Sequence, residues 1–290
     1  MSSNIVLGNA TRQNLLSLQG INSNISTVQN HLATGLKVAS AVDNAVLFFQ
    51  AQGLNNRASD LTQRKASIDQ GISSLTTATQ ASQGVVSILQ QLQGLLNSAK
   101  TETAAQRAAT AKQFDVLSLQ LNNLVNDASY QGLNLVNSTK STLSLQFSLT
   151  STSTLKILGF NQQASKLVTA QAVSKASHLA TFLVTIGGFS KASAVGTSVF
   201  DKAYNTLQTA VFKAQSEAQS LGGNVTFLQT RLDFTSQYLT TLQSGADKLT
   251  VADVNVESTN LVTLQTSQQL AIQSLSIATQ SEQNVLRLFH

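Results

Sequence analysis

The chain has 290 residues, a net charge of +5, only 11% charged residues, and no proline, cysteine or tryptophan. Ordinary usage is near ~5% proline and ~25% charged residues, so both shortfalls carry information. Without cysteine there is no disulfide and no thiolate chemistry. The 18 basic residues stand singly apart from Arg64-Lys65, a solvated-face pattern rather than a nucleic-acid patch.

Missing proline suits very long helices, because an interior proline costs ~3 kcal/mol or more. Scarce charge suits helices covered on several sides, because a desolvated unpaired charge is expensive. A solitary coiled coil would instead carry Glu and Lys beside its seam. Met1–Ala10 lacks the basic region, apolar core and cleavage site of a Sec-type signal, and no apolar run approaches 18 residues. Membrane insertion is not expected.

In chain order, Leu18, Ile21, Ile25, Val28 and Leu32 repeat at steps of three and four, predicting a helix from about Asn4 to Ala33. Gly35 offers a stop. Thr34 to Gly53 reads as a compact connector with a short helix, Ser40 and Asp43 forming a candidate capping box. A heptad follows at Leu54, Leu61, Ile68, Leu75, Leu89 and Leu96, with Ser82 its gap, and predicts one long helix to Ala99. Gly71, Gly84 and Gly94 each weaken that helix by ~1 kcal/mol relative to Ala.

A polar turn at Lys100–Thr103 precedes a helix carrying Phe114, Leu117, Leu121 and Leu124. Leu143, Leu145, Phe147 and Leu149 alternate with polar residues, a strand signal. The middle, 137–197, is expected to be strands and turns, with a short helix near Ala164–Ala180. Leu221, Val225, Leu228, Leu232, Leu239 and Leu242 then phase a helix from Ser198 to Gly245.

The last forty residues hold the most continuous seam: Leu261, Leu264, Ala271, Leu275, Ala278, Val285 and Phe289. Thr250 with Asp253 is a candidate capping box at its start. The expected fold is mainly α. Long antiparallel helices form a coiled-coil rod with the N- and C-terminal helices paired, and a small β-rich segment lies in the centre. The divisions are 1–34, 35–53, 54–136, 137–197, 198–245 and 250–290. The core of the rod is expected at Leu54, Leu61, Ile68, Leu75, Leu89, Leu96, Leu228, Leu232 and Leu239. The two terminal seams are expected to pack between subunits, because an apolar stripe left in water forfeits roughly 25 cal/mol per Å² of burial.

Several stretches resemble bacterial flagellin. The family pattern of serine-glycine-leucine-arginine, a gap, Ser-Ala and two acidic residues stands in this chain as Thr34-Gly35-Leu36-Lys37 through Ser40-Ala41-Val42-Asp43-Asn44. The family's phenylalanine-asparagine-glycine turn stands as Tyr130-Gln131-Gly132. The end, from Leu249-Thr250-Val251-Ala252-Asp253 through Gln268-Gln269-Leu270 to Val285-Leu286-Arg287-Leu288-Phe289, is similar to the family's terminal helix. Leu275-Ser276-Ile277-Ala278 resembles the alphaproteobacterial members most. The similarity covers about 1–135 and 198–290.

The resemblance implies a motility filament subunit, exported by the flagellar type III apparatus and polymerising with itself outside the cell. A flagellar export chaperone, a filament cap and hook-associated proteins are its implied partners, and the short middle implies a thin filament. Gln91, Gln93 and Gly94 stand where the family carries two arginines and a glutamate associated with innate immune receptor recognition, so weak or absent recognition is expected.

No enzyme, metal or cofactor site is expected. His31, His178 and His290 have no ligand spacing, and no nucleophile has a plausible base. Ser148, Thr150, Ser151 and Thr152 are a candidate O-glycosylation surface within a run that reads first as a solvated strand. A hook-filament junction protein is the alternative function, and an unrelated secreted helical effector or adhesin the third.

Overall fold

The computed structural model describes residues 9–148, 153–167 and 197–288. These comprise α1 (Asn9–Thr34), α2 (Ala41–Ala99), α3 (Ala104–Asp127), β1 (Ser129–Tyr130), β2 (Leu133–Asn134), β3 (Thr142–Gln146), β4 (Thr154–Leu158), α4 (Ala164–Leu167), α5 (Thr197–Thr250) and α6 (Val254–Leu288). They divide into a terminal unit, residues up to 58 with those from 240, and an inner unit of residues 59–239.

The inner unit is built on the predicted heptad. Ile68, Leu75, Leu89 and Leu96 of α2 join Phe114, Leu121 and Val125 of α3 and Leu207, Leu221 and Leu228 of α5 in one buried cluster. Of the residues expected in the core, Leu61 is also buried, while Leu54, Leu232 and Leu239 are half-buried. Ser82, the heptad's gap, is fully enclosed, and its Oγ meets no hydrogen-bond partner among the described residues.

Two of the helix-weakening glycines admit close packing. A Cβ on Gly71 would lie 2.5 Å from Leu145 Cδ1 of β3, and one on Gly84 would lie 2.8 Å from Leu124 Cδ2 of α3. At Gly94 nothing among the described residues lies within 4 Å of an added Cβ, so that position bears only the propensity cost.

The α3 start carries the full capping box, with Thr103 and Gln106 bonded reciprocally. At the other end Asn134, buried, donates through Nδ2 to the carbonyls of Val125 and Asn126 and accepts the N–H groups of Val136 and Asn137. Strands β1 and β2 pair around Gln131-Gly132, whose φ values of 49° and 83° are both positive. That is the requirement of a type I′ hairpin turn.

Strands β3 and β4 form an antiparallel hairpin, Leu143 opposite Ile157 and Leu145 opposite Leu155. The predicted alternation holds through Leu143, Leu145 and Phe147, all buried; Leu149 lies outside the described residues. Phe147 closes that face against Phe227 and the Arg231 guanidinium, 5.1 Å from its ring centre. Of the helix expected near Ala164–Ala180, the described part is one turn, α4.

Three boundaries differ from expectation. The connector expected over 35–53 narrows to 35–40, because the helix expected from Leu54 begins at Ala41. Asn44 interrupts it with non-helical dihedrals (φ −161°, ψ 101°) and caps the continuation by accepting the Leu47 N–H. Gly245 does not end α5, which continues to Thr250. A Cβ there would meet only Leu54 Cδ1 at 3.4 Å, an ordinary contact. Thr250 accordingly caps nothing in α6. Its hydroxyl donates back to the Ala246 carbonyl of α5, and Asp253 alone caps α6 by accepting the N–H groups of Asn255 and Val256.

Candidate assembly surface

The terminal unit pairs the two ends of the chain. Helices α1 and α6 pack on each other along their length. Asn14 donates to Ser274, Gln268 donates to Asn22, and His31 Nδ1 lies 3.0 Å from Glu257 Oε1. The partner number falls as the first rises, so the pair is antiparallel. In this register Leu18 stands level with Ala271, Ile25 with Leu264 and Val28 with Leu261.

The seam residues from sequence therefore lie on facing sides of the chain's own two ends. Val28 is buried at 8% exposure; Leu18, Ile21, Ile25, Leu32, Leu261, Leu264, Ala271, Leu275 and Ala278 are half-buried. The Val285 side chain and Phe289 lie outside the described residues.

The joint below this pair is fastened by backbone. Lys37 and Val38 N–H groups both donate to the Thr250 carbonyl, Ala252 N–H donates to Gly35, and Leu36 bridges Val251. Lys37 Nζ adds a bond to the Lys248 carbonyl at 3.1 Å. Gly35 turns the chain out of α1 with φ 71°, a left-handed value that an L side chain resists. The predicted Ser40/Asp43 box forms in its acidic half: Asp43 Oδ2 accepts the N–H groups of Ala39 and Ser40 and the Ser40 hydroxyl. These bonds, the Ser40 N–H first, hold the exposed Asp43 carboxyl below the usual carboxylate range.

One seam does not exhaust the apolar surface of α6. Val254, Val262, Leu270, Ile272 and Ile277 are exposed, Leu270 at 67% and Ile277 at 61%. At about 100° per residue, Leu270 and Ile277 fall on one flank of the seam, and Val254 and Ile272 on the other. On α1, Leu16 is 68% exposed beside its own seam. A helix apolar on several faces is one that several neighbours cover. Sequence reasoning missed these rows. Their signal was the adjacent pairs Leu261-Val262 and Ala271-Ile272, where one residue serves the seam and the next cannot.

Among the described residues no group of three His, Cys, Asp or Glu side chains is placed to hold a metal, and no helix is long and apolar enough to cross a membrane. Of the candidate glycosylation residues Ser148 is half-buried; Thr150, Ser151 and Thr152 lie outside the described residues. Gln91 and Gly94 are exposed on α2 and Gln93 is half-buried.

Ends paired into one helical unit, apolar rows on several helix faces and a separately cored middle define a structural subunit of an assembly. The comparisons identify which one. The family model for the bacterial flagellin N-terminal helical region matches residues 4–141, and that for the bacterial flagellin C-terminal helical region matches 202–289. Flagellin FljK of Caulobacter vibrioides is 30% identical over 277 residues, 95% of this chain and 94% of the relative. A flagellin of Brucella melitensis is 27% identical over 281 residues, 95% of each chain. The solved structure of a putative flagellar hook-associated protein from Vibrio parahaemolyticus superposes with a TM-score of 0.60 at 12% identity, covering 72% of this chain and all of that one. That likeness concerns the fold alone.

The chain belongs to the bacterial flagellins. It is a structural subunit of the extracellular flagellar filament, and the hook-associated alternative has less support.

Proposed function

We propose that the terminal unit is the part of this flagellin through which copies polymerise. Residues 1–34 and 250–290 act as filament-core helices, and 54–136 and 198–245 form the inner helices, with a connector within 35–53 leading from the first to the inner part and 137–197 as the variable segment. The observation that carries this reading is the apolar surface of α6 beyond its seam, led by Leu270 and Ile277. Pairing with α1 leaves those rows in water, and neighbouring copies supply the missing cover. Burial on polymerisation then stabilises the paired ends by mass action. The seam residues contribute at the same time to pairing and, through their exposed edges, to contacts between copies.

Electron microscopy of the purified chain after seeded or salt-induced polymerisation, beside a version lacking Leu270–His290, tests this. Long uniform tubes from the intact chain only are expected. An intact chain that stays monomeric while another flagellin polymerises in parallel would return the hook-filament junction reading.

The finer partners belong to the same reading: export through the type III apparatus with a flagellar chaperone, growth under a filament cap, and a base of hook-associated proteins. No catalytic role is assigned. Gln91, Gln93 and Gly94 leave α2 without the charges that would engage an innate immune receptor. A robust response to purified monomer in a receptor-reporter assay overturns that point.

A further inference from the structure

Among the described residues Gln162 is the most enclosed polar side chain outside the helices, at 0% exposure. It sits where the chain leaves β4 and docks on the inner unit. Phe160 N–H donates to the Leu135 carbonyl, Gln162 N–H donates to Val136, and Asn161 bridges Asn137. Gln163 and Ala164 reach Asn126 and Asn122 of α3. On the α5 side Gln162 Nε2 donates to Glu217 Oε2 at 2.8 Å. The other half of the amide, Oε1, is buried and accepts no hydrogen bond from any described residue.

A primary amide and a carboxyl group side by side have two ways to pair. With the carboxyl ionised, the amide donates one bond and its oxygen has no donor opposite, because a carboxylate only accepts. With the carboxyl protonated, the amide N–H still donates to the carbonyl oxygen and the new O–H donates to Oε1. The two groups then close a ring of two hydrogen bonds, and the orphaned acceptor is satisfied.

We propose that Gln162 and Glu217 form a protonation-gated latch between the segment following β4 and α5, closed by two hydrogen bonds when Glu217 is protonated and held by one when it is ionised. This goes beyond polymerisation and does not depend on it. The proton comes from solvent and returns to it. Burial raises the Glu217 carboxyl above its usual range, against the bond from Gln162 and the charge of Lys213, which both pull it down. The charged residues flanking this contact are Lys213 one turn earlier on α5, Lys166 on α4, Lys156 on β4 and Asp127 at the end of α3, with Arg107, Lys112 and Asp115 further back on α3. Helix α2 carries no charged residue between Gln70 and Ala99.

The sign follows from that shift. A carboxyl whose folded value is raised favours the folded state most strongly at pH below its unfolded value, 4.5. That contribution is lost as pH rises through the folded value. The latch tightens on acidification.

The test uses the full-length monomer. Carboxyl carbon and side-chain amide NMR signals report Glu217 and Gln162 directly. Hydrogen exchange of the Phe160 and Gln162 backbone amides, corrected for intrinsic pH dependence, reports the segment's docking. The Gln162 side-chain signals are expected to move with the Glu217 titration, and amide protection to rise roughly three- to tenfold across it, the span of one buried hydrogen bond. Glu217→Gln presents an amide that forms the same ring at every pH, so its protection is expected to stay at the acid level with no dependence in this window. Wild-type protection that is flat through the Glu217 titration overturns the proposal. So does a Glu217→Gln chain that keeps the wild-type pH dependence or rests at the weakly protected level.

Discussion

The two units of this chain spend the same kind of sequence differently. In the inner unit a heptad of leucines on α2 ends in enclosure: Leu75 and Leu89 are at 0% exposure, gathered with Leu221 of α5, with α3 and with the β3–β4 hairpin. In the terminal unit comparable spacing on α1 and α6 yields, among the described seam residues, one buried side chain, Val28, and otherwise half-covered ones. The physical difference is the number of neighbours. Three helices and a hairpin surround a side chain on every side, whereas two helices cover each other along one line. The inner unit therefore encloses its heptad within one chain, although Leu119 and Phe212 stay exposed on its surface. The terminal unit keeps exposed apolar area, led by Leu270 and Ile277, which the proposed polymerisation would cover.

The sharpest way to break this comparison is to truncate one leucine in each unit. Leu89→Ala is expected to destabilise the monomer by about 2–5 kcal/mol, as large-to-small changes in enclosed cores do, read as a lowered midpoint of chemical unfolding. Leu270→Ser is expected to leave that midpoint within about 0.5 kcal/mol, the range of surface substitutions, while raising the critical concentration for polymerisation in a sedimentation assay. Equal effects on the monomer would remove the distinction between the units.

Glycines sharpen the contrast inside the inner unit. A Cβ on Gly159 would lie 2.5 Å from the Ser138 carbonyl oxygen and 3.0 Å from that of Leu135. Backbone cannot give way as a side-chain tip can, so Gly159→Ala is expected to cost about 1–3 kcal/mol. Gly94→Ala, with open space around it, is expected to gain up to ~1 kcal/mol from helix propensity alone. Thermal melts of the two variants should move in opposite directions.

Acid separates the units by sign. Asp43 in the terminal unit has a lowered carboxyl value, so its contribution is present above the unfolded value, 3.8, and is lost as pH falls through the folded one. Exchange at the Ala39 and Ser40 amides is expected to quicken there relative to intrinsic rates, and Asp43→Asn should abolish that step. Glu217 in the inner unit carries the opposite sign. A small gain is expected at Ser82: removing its enclosed hydroxyl, which meets no partner among the described residues, with Ser82→Ala should raise stability by up to about 1 kcal/mol, measured by denaturant unfolding.

Much of the fold was legible. The α2 heptad and the β3 alternation depend on local periodicity, which a sequence states directly, and the Gln131-Gly132 turn came with the resemblance to the flagellins. Boundaries were less so. Gly245 and Thr250 read as a stop and a cap, yet α5 runs through the first and ends at the second. A glycine in a packed helix costs only ~1 kcal/mol, less than the surrounding burial supplies. Asn134 gave no signal, because its four bonds join α3 to the chain beyond it and exist only once both are placed.

For the assembly surface the sequence determined that apolar stripes exist at both ends and at the same period, since composition and spacing are properties of the chain itself. Tertiary structure alone decided which stripe meets its partner within the molecule and which remains outward. That choice rests on register: with Asn14, Asn22 and His31 set against Ser274, Gln268 and Glu257, Leu264 turns inward and Leu270 does not. A helix has only one side toward its neighbour, and the position of that neighbour is not written in its own period.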